Sequence, residues 1–190
     1  MADIVGLSGA GKSLEDAFFA KENARLLEQM RAKAKLDERR KALRDVIQIQ
    51  DEGLVDHLLE LGLGPETILA VTLIPLAMVA WADGSIEPRE REAIQRAAAE
   101  KGIAPGSIPE QVLSTWLAKP LDAELVDTWK RYIQTIWPSL TPHERAEVRK
   151  MGLERARTVA EAAGGFLGLG ARISAQEKAV LDELATLLAG

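Results

Sequence analysis

From Ser13 to Ile49 the chain runs without a glycine or proline. A stretch of that length rich in Ala, Leu, Glu, Lys and Arg favours one regular conformation, the α-helix. Phe19, Leu26, Met30 and Ala34 form one apolar stripe along it, and Leu36, Leu43 and Ile47 form a second that is out of phase. The change of phase predicts a kink or break near residue 35. Arg31 to Arg44 holds seven basic and two acidic residues. Such a run is a solvated helix face or a surface for an anionic partner.

The rest of the chain is punctuated at short intervals by Gly and Pro. Asp51 to Leu61 reads as a short amphipathic helix stopped by Gly62 and Gly64. Pro65 then opens an apolar helix that reaches Trp81, with Pro75 inside it as a kink or a lost hydrogen bond. Further helices are expected from Pro88 to about Lys101, from Pro109 to Ala118 and from Asp122 to Trp137. In the last of these, Leu125, Trp129, Tyr132, Ile133 and Ile136 follow the 3.6-residue period. Thr141-Pro142-His143-Glu144 and Ser174-Ala175-Gln176-Glu177 are capping boxes that open two more helices, one reaching Ala163. The loop between them, Gly164 to Gly170, reads as a helix stop and turn or as an apolar contact loop.

No segment alternates as a strand does, and aromatic residues make up only 4% of the chain, which removes many strand formers. The expected fold is all-α, a compact bundle of about eight helices with a long N-terminal helical extension. The division is residues 1–64 for the extension and 65–190 for the bundle. Trp81, Trp116, Trp129 and Trp137 lie at core-facing positions.

Several function classes are closed by composition. Without cysteine there are no disulfides, thiolate nucleophiles, thiolate zinc sites or iron–sulfur clusters. His57 and His143 are the only histidines and stand far apart, and neither has a Glu three residues before it as a di-metal bundle requires. A net charge of −5 argues against nucleic acid as a partner. The longest apolar run, Ile68 to Ala82, has fifteen residues, whereas a spanning helix needs about twenty. No basic-then-apolar leader opens the sequence, so a cytoplasmic location is expected.

Gly6-Leu7-Ser8-Gly9-Ala10-Gly11-Lys12-Ser13 fits the phosphate-binding P-loop pattern letter for letter. The mechanism also needs a buried parallel strand before the loop, and only Asp3-Ile4-Val5 precede it. The expectation is a flexible glycine-rich start with Ser13 capping the long helix.

A second motif follows the apolar helix. Asp83-Gly84-Ser85-Ile86-Glu87-Pro88-Arg89-Glu90 matches the second half of an EF-hand loop, while the first two ligand positions fall on Val79 and Trp81. It is therefore no EF-hand. It reads either as a sharp acidic turn whose Asp83, Glu87 and Glu90 suit calcium, magnesium or manganese, or as a helix cap with Glu87 at the N-cap and Glu90 third in the helix. The pattern returns 87 residues later: Ile173 to Glu177 aligns with Ile86 to Glu90, and Leu181 with Ile94. Gly170 stands in place of Asp83 in this second copy, so the acidic turn occurs once. Either an internal duplication or a shared way of starting helices produces the likeness.

Ala82-Asp83-Gly84-x-Ile86-x-x-x-Glu90 after an apolar helix, with the partial repeat at Ile173 to Glu177, resembles the TerB-like family of tellurite-resistance proteins over about residues 65–190. The resemblance implies a helical bundle of the bacterial cytoplasm linked to chemical stress or phage defence. It implies a metal-sensing or scaffolding module rather than an enzyme, with acidic positions at Asp83, Glu90 and Glu177. Protein partners are expected, as is a homo-oligomer through the N-terminal helix. Two alternatives remain: a membrane-peripheral adaptor using the basic helix, and a nucleotide-binding protein using the glycine-rich start.

Overall fold

The computed structural model describes the backbone of residues 4–163 and 173–189, and the side chains of residues 20–162 and 173–189. All the regular structure among them is helical. The chain divides into two units, residues 1–42 and 43–190, so the expected boundary at 64/65 lies inside the second unit.

Helix α1 runs unbroken from Ile4 to Ile47, so the break expected near residue 35 does not occur. It also starts earlier than the glycines suggested. Gly6 to Ser13 is helical, and Ser13 is an interior residue rather than a cap. The flexible start is corrected accordingly: the long run of good helix formers downstream outweighs the modest helix cost of three glycines. Leu26, Leu27 and Met30 are exposed. The last turn, with Leu43 and Ile47 buried, belongs to the second unit. Gln48 ends the helix in the left-handed region at φ 55°, and its backbone N–H reaches the Arg44 carbonyl at 2.8 Å.

In the second unit α2 (Glu52–Glu60) is capped by Asp51, whose Oδ1 accepts the Leu54 N–H at 2.9 Å. The same carboxylate meets Arg131 at 2.6 Å. Pro65 lies in a turn rather than in a helix, and the apolar segment is two helices, α3 (Ile68–Val71) and α4 (Ile74–Ala80). Pro75 sits in the first turn of α4, where its missing N–H costs little. The expected kink is thus a complete break at Thr72 and Leu73.

Next come α5 (Pro88–Glu100), α6 (Ile108–Ala118) and α7 (Ala123–Ile136), closely as the periodicity predicts. A short 3₁₀ turn at Trp137–Ser139 leads into α8 (Pro142–Arg149). The single helix expected from Pro142 to Ala163 is interrupted by a π-helical turn, Lys150–Glu154, before α9 (Arg155–Ala163). The last helix is α10 (Ala175–Leu187).

The core is made chiefly of aliphatic side chains. Leu54, Leu58, Leu73, Ile74, Leu76 and Ile94 are fully buried, and each contributes about 1.5–3 kcal/mol over an exposed side chain. Trp116, Trp129 and Trp137 are buried, and Trp81 is half-buried. Arg145 and Arg149 place their guanidinium groups 5.7 and 5.2 Å from the centre of the Trp137 ring. Helices α4 and α9 pack on each other, and each also packs on α5 and on α10. No helix among the described residues is long and apolar enough to cross a membrane.

Candidate functional site

The acidic turn is built by the end of α4. Trp81 closes that helix and anchors the corner, its indole N–H donating to the Trp116 carbonyl at 2.8 Å. Gly84 then takes φ 94°, which a side chain would make costly. Asp83 Oδ1 accepts the Ser85 N–H at 3.1 Å and so closes the turn on itself. Glu87 follows in extended conformation at the N-cap, Pro88 supplies a preset φ, and α5 begins. Glu90 reaches back from the third helical position, and its Oε2 accepts the Glu87 N–H at 2.7 Å.

The second copy repeats this. Glu177 Oε2 accepts the Ser174 N–H at 2.5 Å, and Ser174 Oγ accepts the Glu177 N–H at 3.1 Å. The equivalence extends to the packing. Ile86 and Ile173 both lie half-buried against the core, and Ile94 and Leu181 are both buried within it.

Both glutamates are buried, at 2% exposure for Glu90 and 4% for Glu177. Carboxylates are seldom buried to this degree without a cationic partner. Burial pushes the Glu90 pKa up to about 7 against the lowering effect of the Glu87 N–H, and the charges of Glu177, Asp83 and Glu87 raise it further. The two capping glutamates are therefore within electrostatic reach of each other. Asp83 and Glu87 are exposed and stand around the pair rather than within it.

Of the four expected ligands, Glu90 and Glu177 are buried, and Glu177, Asp83 and Glu87 all act on Glu90 through charge. Among the described residues no three carboxylate, histidine or cysteine side chains converge closely enough to hold a metal ion. Each buried glutamate also commits one oxygen to an N–H. The donor set leaves most of the roughly six to eight oxygens of a calcium shell to water. It is closer to what magnesium uses, one or two carboxylates with the remaining positions filled by water.

A third capping box serves as an internal reference. At the start of α8, Glu144 Oε2 accepts both the N–H and the hydroxyl of Thr141 at 2.7 Å. Glu144 is exposed, and the Thr141 hydrogen bonds lower its pKa, with a smaller contribution from His143. His143 itself is exposed. His57 lies 3.5 Å from Glu60 and 3.4 Å from Glu124. The loop Gly164 to Gly170 lies outside the described residues. Compared with known protein families, curated proteins and solved structures, the chain matches none.

Residue patterns signalled the caps and the likeness between the two copies. They did not signal that the capping glutamates are buried. Leu140 and Val148 flank Glu144 at the same spacing as Ile86 and Ile94 flank Glu90, so no local signal separates the two environments.

Proposed function

We propose that this protein is a non-enzymatic helical binding and scaffold module of the TerB-like kind, acting through protein partners in a bacterial stress or defence setting. In this reading the buried Glu90–Glu177 couple makes it responsive to a divalent cation. The observation that carries the cation response is the couple itself: two carboxylates buried without a basic side chain among the groups that shift Glu90. A divalent cation would neutralise both, and a hydrated magnesium or manganese ion needs no more protein ligands than these two supply. Asp83 and Glu87 would add favourable charge from the rim. In the same reading α1 is the partner-facing arm, for another protein or for a second copy.

The test is thermal unfolding with magnesium, manganese or calcium against a chelator, for wild type and Glu177→Gln. A ligand bound only by the folded state raises the midpoint by mass action. The expected result is a rise with magnesium or manganese that is larger at pH 8 than at pH 6, because below about pH 7 protons compete for Glu90. The variant should show no rise. If no cation moves the wild-type midpoint at either pH, the cation response is wrong.

A second reading, a membrane-peripheral adaptor, is favoured by one feature of α1. Leu26, Leu27 and Met30 are exposed just before the basic run that starts at Arg31, a combination suited to an anionic lipid surface. Co-flotation with phosphatidylserine vesicles, abolished by reversing the charges at Arg39, Arg40 and Lys41, would support it. Equal flotation with neutral vesicles would remove it.

A further inference from the structure

Two irregularities of the fold meet in the lining of one cleft. The α3–α4 break supplies Pro75, and the π turn supplies Gly152. A Cβ at position 152 would lie 3.7 Å from Pro75 Cγ and 3.1 Å from Leu188 Cδ1. Neither residue sends a long side chain into the space beside α7, and a half-open cleft of about 160 Å³ remains. Its walls are apolar, with Val71, Trp129, Ile133 and Met151 prominent. A space of this size accepts one aromatic ring, since an engineered apolar cavity of about 150 Å³ binds benzene.

The rim carries the information about the ligand. Lys101, at the end of α5, and Glu147, on α8, both line the cleft and are both exposed. Neither makes an ion pair with another described residue, although they have opposite charges. A hydrophobic anion would satisfy Lys101 and meet Glu147, and a hydrophobic cation would do the reverse. A plain hydrocarbon would use the walls alone and leave both exposed charges to solvent. A zwitterion with an apolar side group answers both charges and the walls.

We propose that this cleft binds a free α-amino acid with an aromatic or branched apolar side chain. The side chain lies between Trp129 and Met151, the carboxylate faces Lys101 and the ammonium group faces Glu147. Pockets of this type, apolar with a few polar groups that fix orientation, are the usual form of small-ligand sites. The site is separate from the Glu90–Glu177 couple and stands or falls independently of it.

Isothermal titration of the full chain with L-phenylalanine tests the proposal, with 3-phenylpropionate, phenethylamine and L-serine as comparison ligands. Saturable one-site binding of phenylalanine is expected. Each single-charge analogue should bind about tenfold more weakly, as the loss of one charge-assisted contact implies, and serine should give no saturable heat. Lys101→Met should weaken phenylalanine about tenfold yet leave phenethylamine unchanged, and Glu147→Gln should spare phenylpropionate in the same way. Both substitutions are at exposed positions, and matching melting curves would show that the fold is intact. The proposal is overturned if neither phenylalanine nor leucine binds saturably. It is equally overturned if the two single-charge analogues bind as well as phenylalanine.

Discussion

The starts of α5 and α8 carry the same motif in different surroundings. In both, a glutamate at the third helical position returns to the backbone N–H of the N-cap residue at 2.7 Å. In both, an aliphatic residue stands four positions before and four after that glutamate. Yet Glu90 is pushed up to about pKa 7 while Glu144 is lowered. The backbone bond is common to the two, but Glu144 also accepts the Thr141 hydroxyl, the largest cause of its lowering, which Glu90 lacks. The packing differs as well. α5 lies against α9 and α4, whereas no residue of α8 is buried. A capping bond stabilises the charged form, and desolvation opposes it. At Glu90 desolvation wins, and the neighbouring carboxylates add to it.

The comparison can be tested first by loosening the packing. Ile94 is fully buried one turn beyond Glu90, and Ile94→Ala should cost about 2–5 kcal/mol in chemical denaturation. If burial governs Glu90, its pKa should also fall toward 4.5 in this variant, as read by NMR titration of the side-chain carboxyl. An unchanged pKa would mean that charge repulsion, not desolvation, holds it up.

A smaller effect is expected from Glu90→Gln, which keeps the reach to the Glu87 N–H and removes the charge. The pKa of Glu90 is raised in the folded state, so its contribution to stability is fully present below about pH 4.5 and is lost as pH rises through about 7. The glutamine variant should therefore be the more stable protein at pH 8, by on the order of 2–3 kcal/mol, with little difference at pH 4. Urea midpoints measured at both pH values decide this.

The smallest effect, and one of opposite sign, belongs to Glu144→Gln. The Glu144 pKa is lowered, so its contribution is present at neutral pH and fades as pH falls below 4.5. This variant should be slightly less stable at pH 7 and should converge on wild type as pH falls through the lowered Glu144 pKa. A stabilising effect at pH 7 would break the contrast between the two caps.

Much of the fold could be read from local chemistry. The caps at Asp51, Glu87, Thr141 and Ser174 mark helix starts because each satisfies N–H groups within its own first turn. The glycine after α2 and the proline that opens α5 act equally locally. Features that depend on distant partners were not legible. The π turn stands where Gly152 passes within contact distance of Leu188 and Pro75, and no nearby residue announces it. The glycines near the start of α1 suggest a flexible segment, whereas the long helix behind them favours continuation. The acidic residues were identified, but the burial that gives Glu90 its unusual titration comes from α4 and α9.

The π turn also has a meaning for how this sequence could change. A wide turn of this kind amounts to one extra residue lodged within an otherwise regular helix. It sets the angular phase of everything after it. Ala156, Val159 and Ala160 are buried on α9 because the preceding turn rotates them there. Removing a single residue between 150 and 154 would restore a uniform helix and leave that trio on the same face, whereas straightening the turn without a deletion would swing it about 100°, the rotation of one residue. A lineage could therefore lose one residue just ahead of α9 and keep its buried face, although a deletion inside the regular α9 would put every later side chain out of phase.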